Sequence, residues 1–161
     1  MLTLADVSNA KIVDLLRRYG IDLCVQANGA SIPGSFWGEP EAGIVGCAVY
    51  ARSDTPIHSL LHEASHLICM DDKRRQDVHR DAGGDDLEEA AVCYLQIALA
   101  AELDEVGAAM LMQDMDDWGY SFRLGCTSRW FADDADDARH WLLSRQLIEE
   151  GGTPCYRRRG D

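Results

Sequence analysis

The sequence predicts an α+β fold, with a short antiparallel or mixed sheet from the N-terminal third packed on several helices from the rest. Two observations carry this expectation. Runs rich in Val, Ile and Tyr, bounded by turn residues, cluster before residue 52. Beyond residue 56 the apolar residues instead recur at helical spacing. No internal repeat, low-complexity linker or domain boundary interrupts the chain. A length of 161 residues also suits one domain with a moderate core. Residues 1–161 are therefore expected to form a single domain.

Taken in order, residues 3–19 read as a first helix, with Leu4, Val7, Ile12, Leu15, Leu16 and Tyr19 in an approximate stripe and Gly20 as its stop. Ile21 to Gln26 reads as a strand. Asn28-Gly29 is a strong turn signal and predicts a hairpin toward Ile32. Residues 43–51 form the clearest strand. Ser53, Asp54 or Thr55 can cap the next helix, and Pro56 fits its first turn. That helix should end near Met70, followed by a polar loop over residues 71–86. A second long helix runs from Leu87 to about Leu103, a third from Glu105 to Asp117, and a last from Trp130 to Ile148. Tyr120 to Leu124 reads as extended, and Arg157 to Arg159 as a solvated tail.

Composition narrows the function. The chain is 47% hydrophobic and 27% charged, which marks it as globular rather than disordered. A formal net charge of -13 argues against nucleic acid or an anionic membrane as the main partner, since both would be repelled. The six cysteines form no C-x-x-C pair, and the N-terminus has neither a basic nor an apolar leader segment. The expected compartment is cytoplasmic, with reduced thiols.

The chemistry concentrates in residues 59–68, Ser-Leu-Leu-His62-Glu63-Ala-Ser-His66-Leu-Ile. On a helix, His62 and His66 are one turn plus about 40° apart, so both imidazoles project from one face with roughly 6 Å of rise between them. Two neutral imidazoles so placed can bind one tetrahedral ion, most naturally Zn2+. Glu63 is offset by about 100° from His62. It is badly placed to chelate beside both histidines and better placed as a general base toward a metal-activated water. This is the H-E-x-x-H arrangement. Between Ser59 and Met70 the motif supplies the only charged or imidazole side chains, and no Gly or Pro interrupts. The plainer reading is an apolar helix with two satisfied core histidines. A buried, unpaired Glu63 would make that arrangement costly.

Hydrolytic zinc sites have three protein ligands and an open position. The loop over residues 71–86 lets the next helix double back antiparallel, bringing a carboxylate of its first turns to the histidines. Glu88 and Glu89 are the candidates. Alternatively, the acids at this helix start (Asp85, Asp86, Glu88, Glu89) serve only to stabilise the macrodipole.

On these residues the chain resembles the gluzincin metallopeptidases, most closely the ImmA/IrrE type. In that family an H-E-x-x-H helix is followed by a helix opening approximately E-x-E-A-N-x-F-A. The resemblance covers residues 43–100 and puts the zinc-binding Glu on Glu88, the Ala on Ala91 and the aromatic on Tyr94. It departs from the pattern at Ala90, Val92 and Ser65, so that the polar residue expected to orient a ligand is missing at Val92. The resemblance implies a zinc-dependent hydrolase, a peptidase with His62, His66 and Glu88 as ligands and Glu63 as base. It further implies a peptide or protein substrate of the regulatory kind. A zincin-like binding module that retains its zinc without turnover is the alternative.

Weaker candidates accompany these residues. His79 could bend over the site to stabilise an oxyanion, Tyr50 could hydrogen-bond a tetrahedral intermediate, and His58 could share the face of His62. Trp37, Trp118, Trp130 and Trp141 read as packing aromatics. Gly83-Gly84 lacks the preceding strand of a phosphate loop.

Overall fold

A computed structural model describes all 161 residues. Seven α-helices and one three-stranded mixed sheet make up the α+β architecture expected from the sequence. The strands are β1 (Asp22–Val25), β2 (Gly43–Val45) and β3 (Ala48–Ala51), in the order β1-β3-β2. β1 runs parallel to β3, whereas β2 runs antiparallel to it. The helices are α1 (Asn9–Arg17), α2 (Ile57–Cys69), α3 (Asp72–Asp77), α4 (Asp86–Ala101), α5 (Ala108–Trp118), α6 (Thr127–Asp133) and α7 (Asp136–Ser144).

Several boundaries differ from the sequence expectation, each for a local reason. The first helix is split into a 3-10 turn (Leu4–Asp6) and α1, because Asp6 hydrogen-bonds back to the Thr3 backbone and hydroxyl and closes that turn separately. The expected hairpin from Asn28-Gly29 does not form. The antiparallel partner of Gly43 outside the sheet is Ser35, and β1 is taken up by β3 in parallel. The single strand over residues 43–51 is instead a tight β2–β3 hairpin, turning at Gly46 with φ +57. The polar loop contains α3, capped by Asp71, which accepts from the Arg74 backbone. The last helix breaks into α6 and α7 near Asp134, and Tyr120 to Leu124 form no strand. The basic tail is not fully solvated. Arg159 donates its backbone N–H to Ile68 and reaches Glu88 with its guanidinium.

α2 lies at the centre. His62 is its only residue that is not buried. Leu60, Leu61, Leu67 and Ile68 are wholly enclosed, and each such side chain contributes about 2 kcal/mol relative to exposure. None of the expected capping side chains closes its first turn. Pro56 stands at the N-cap, Asp54 pairs with Arg52, and the Thr55 hydroxyl accepts from the Arg52 backbone. One contiguous core of 38 buried apolar residues draws on the sheet and on the helices flanking α2. All six cysteines are unpaired. No helix is long and apolar enough to cross a membrane.

Candidate metal centre

α4 doubles back along α2. His62 and His66 meet Glu89 near the start of α4, whereas His58 and His62 meet Gln96 two turns further on, so the two helices run in opposite directions. Asp85 fixes where α4 begins by accepting from the Glu88 backbone at 2.8 Å. From that start, Glu89 and Gln96 lie seven residues apart, on one face. It is the face turned toward the histidines.

The donor atoms converge. His62 Nε2 lies 3.1 Å from His66 Nε2. Glu89 Oε1 is 3.0 Å from His62 Nε2, and its Oε2 is 3.2 Å from His66 Nε2. Ligand atoms around one tetrahedral zinc at ordinary bond lengths stand about 3.3 Å apart. The three side chains therefore form a group that could hold a metal ion. Two imidazole lone pairs facing each other at this separation need a positive centre between them, either a proton or a cation. The chemistry of the donor set thus fits a metal, and binding one would displace a proton.

Gln96 sets the tautomer. Its amide nitrogen donates to the His58 carbonyl at 3.1 Å, which leaves its oxygen to accept from His62 Nδ1 at 2.7 Å. His62 Nδ1 then carries hydrogen, and Nε2 is directed at His66 and Glu89. This is the orienting polar group whose absence at Val92 the sequence pattern suggested. It sits one turn later, wholly buried in an apolar stretch.

The electrostatics follow from burial and these contacts. Burial opposes a charge on His62, but Tyr120, Cys93 and Glu89 outweigh it and hold its pKa well above the ordinary imidazole value. At His66 burial prevails and the pKa falls. Burial would raise the Glu89 carboxyl, yet the hydrogen bonds from both histidines hold it below the usual carboxylate range.

Glu63 is 7% exposed and makes no salt bridge. Burial raises its carboxyl to about 7, with His62 opposing and Glu89 and Glu41 adding to the rise. It lines a cleft that opens on both sides of the histidines. One half, about 370 Å³, is bounded by Phe36, Trp37 and the Arg80–Gly83 loop. The other, about 470 Å³, is bounded by Trp37, Glu41, Trp118 and Tyr120. His62, Glu63 and Glu89 belong to both halves.

The sequence-derived residues thus divide. His62, Glu63 and His66 come together as expected, but the third partner is Glu89 and not Glu88. Glu88 points about 100° away around α4, where Arg74 grips it through two hydrogen bonds of 2.9 Å and Arg159 adds a third at 3.2 Å. Gly84 allows this packing, since a Cβ there would lie 1.8 Å from the Glu88 carboxylate. His79 is exposed, bridges Val45 through its backbone, and leaves the cleft to its neighbours Arg80 and Asp81. Tyr50 is committed to β3 and does not line the cleft. His58 is buried beneath Tyr120, with Nδ1 3.2 Å from the phenol oxygen and Nε2 unpartnered. Burial, reinforced by His62, lowers its pKa to about 4.

Tyr120 and Gln96 had no place in the motif. Gln96 was discoverable as the one amide within the apolar stretch of α4, and counting two turns back from it leads to Glu89. Tyr120 follows α5 in an irregular segment, where the sequence carries no periodic signal. Comparisons of the chain with family models, with curated proteins and with solved structures find no match.

Proposed function

We propose that this cleft is the active site of a zinc-dependent hydrolase, acting on peptides. The observation that supports the reading is a buried, unpaired Glu63 beside three converging donor atoms, in a cleft open on both sides. His62, His66 and Glu89 would hold the ion, and an N2O donor set favours zinc. Bound there, zinc would supply Lewis acidity toward a water and a substrate carbonyl.

The chain's own groups do the rest. Glu63, buried and without a salt-bridge partner, takes the proton of the attacking water and delivers it to the leaving nitrogen. Gln96 keeps the His62 ring oriented. Tyr120 is the donor for the carbonyl oxygen. With His58 carrying its hydrogen on Nδ1, the phenol oxygen accepts from His58, and Tyr120, which lines the cleft, keeps its own O–H as a donor. That tautomer also spares His58 a buried N–H with no acceptor at Nε2.

Glu63→Gln tests the reading. The variant should keep one equivalent of zinc and its thermal midpoint, while peptide cleavage falls by about 10² or more. Undiminished cleavage would rule out this role for Glu63. Zinc uptake without cleavage of a broad peptide library by the wild-type protein would favour a metal-retaining binding module.

A further inference from the structure

The half of the cleft bounded by Glu41, Trp118 and Tyr120 contains a carboxylate that the proposed hydrolysis does not use. Glu41 is 8% exposed and lies at the end of the irregular segment preceding β2. No Lys or Arg lines this half of the cleft, and Glu41 takes part in none of the salt bridges of the chain. Burial raises its carboxyl above the ordinary range, and the Trp118 indole and the nearby His62 offset only part of that. A buried carboxylate without a cation is costly. Its surroundings suit one. Trp37, Trp118 and Tyr120 line the space, and the faces of aromatic rings attract ammonium and guanidinium groups. With the metal ion bound, its charge balances those of Glu63 and Glu89, so Glu41 is the carboxylate left without a cation in this half.

We propose that this half of the cleft is a subsite for a cationic group of the substrate, an ammonium or guanidinium that pairs with Glu41 between the Trp37, Trp118 and Tyr120 rings. This rests on the peptidase reading and specifies its substrate class. The cation comes either from a Lys or Arg side chain near the scissile bond or from a free N-terminus. The other half of the cleft, which includes Arg80, has no such unopposed acid apart from the shared site residues and Asp81.

The test uses zinc-loaded full-length protein and neutral decapeptides. A single Lys is moved along a peptide capped at both ends, norleucine replaces it in a control set, and a third set has a free N-terminus. Binding is measured by calorimetry on the Glu63→Gln variant, and cleavage on the wild-type protein. At one Lys register, or with the free N-terminus, binding should be about tenfold or more tighter than for the matched neutral peptide. Glu41→Gln should remove that preference while zinc content stays at one equivalent. A preference for internal Lys identifies a side-chain cation, and one confined to the uncapped set identifies the N-terminus. Equal binding of charged and neutral peptides overturns the subsite, even if Glu41→Gln fails to fold. So does a preference that survives Glu41→Gln. Cleavage without cation preference leaves the hydrolase reading standing and removes the subsite. A Glu41-dependent preference without cleavage does the reverse.

Discussion

Glu88 and Glu89 are neighbours in the chain with opposite surroundings. Glu88 is 4% exposed and held by two arginines on the side of α4 facing α3 and the C-terminal tail. Glu89 has a side chain 48% exposed, and its carboxylate bridges two imidazoles at the edge of an open cleft. One residue of helical rotation, about 100°, separates a carboxylate that fastens the fold from one that is available to a ligand. Acidity and sequence position do not distinguish them. What faces each does: guanidinium groups already satisfied by Glu88, against imidazole nitrogens that still need a positive centre.

The largest expected effect lies on the cleft side. Glu89→Ala should lower zinc affinity by about a hundredfold, because two imidazoles alone leave the ion one protein ligand short. Metal-free stability should change by less than about 1 kcal/mol, since the lost contacts involve a half-exposed carboxylate. Competition with a chelator of known affinity gives the first quantity, and urea unfolding of the apo protein the second. Unchanged zinc affinity would show that Glu89 is no ligand.

Glu88→Ala should give the converse pattern. Two guanidinium groups lose their shared acceptor, but each is roughly a third exposed and can regain water. The expected loss is about 2 kcal/mol of folding stability, below the range for a fully buried pair. Zinc should still bind at one equivalent with affinity within about threefold of the parent protein. A collapse of zinc affinity in the folded variant would make Glu88, after all, part of the metal site.

How much of this was legible in the sequence follows from the range of each interaction. The His62–Glu63–His66 constellation is local, fixed by helical geometry over five residues, and the structure brings its members together as spacing requires. The α+β class and the antiparallel return of α4 were readable from residue patterning and loop position, whereas the parallel pairing of β1 with β3 was not. The choice between Glu88 and Glu89 was not local. It depended on Arg74 from α3, Arg159 from the C-terminal segment and the room left by Gly84, and none of these appears in a motif centred on α4. Family-style alignment of the α4 opening pointed one residue away. The buried amide of Gln96 marks the histidine-facing side of the helix more directly, because an enclosed amide needs partners and His62 and His58 are the ones within reach.

The smallest effect is the coupling between the two carboxylates, and it tests whether the two faces of α4 are separate. Glu88→Gln, Glu89→Gln and the double variant form a cycle in apo-protein stability. Adjacent residues usually couple when they share partners. Here the partners are disjoint: Arg74 and Arg159 for one, His62 and His66 for the other. The cross-influence that remains is a weak Coulomb effect of Glu88 at His66, the last among the causes acting on that imidazole. The interaction energy should therefore fall below about 0.5 kcal/mol. A value above about 1 kcal/mol would mean that α4 moves when either carboxylate is neutralised. The arginine clamp behind the helix would then help to aim Glu89 at the histidines, and Glu88 would position the metal site without touching it.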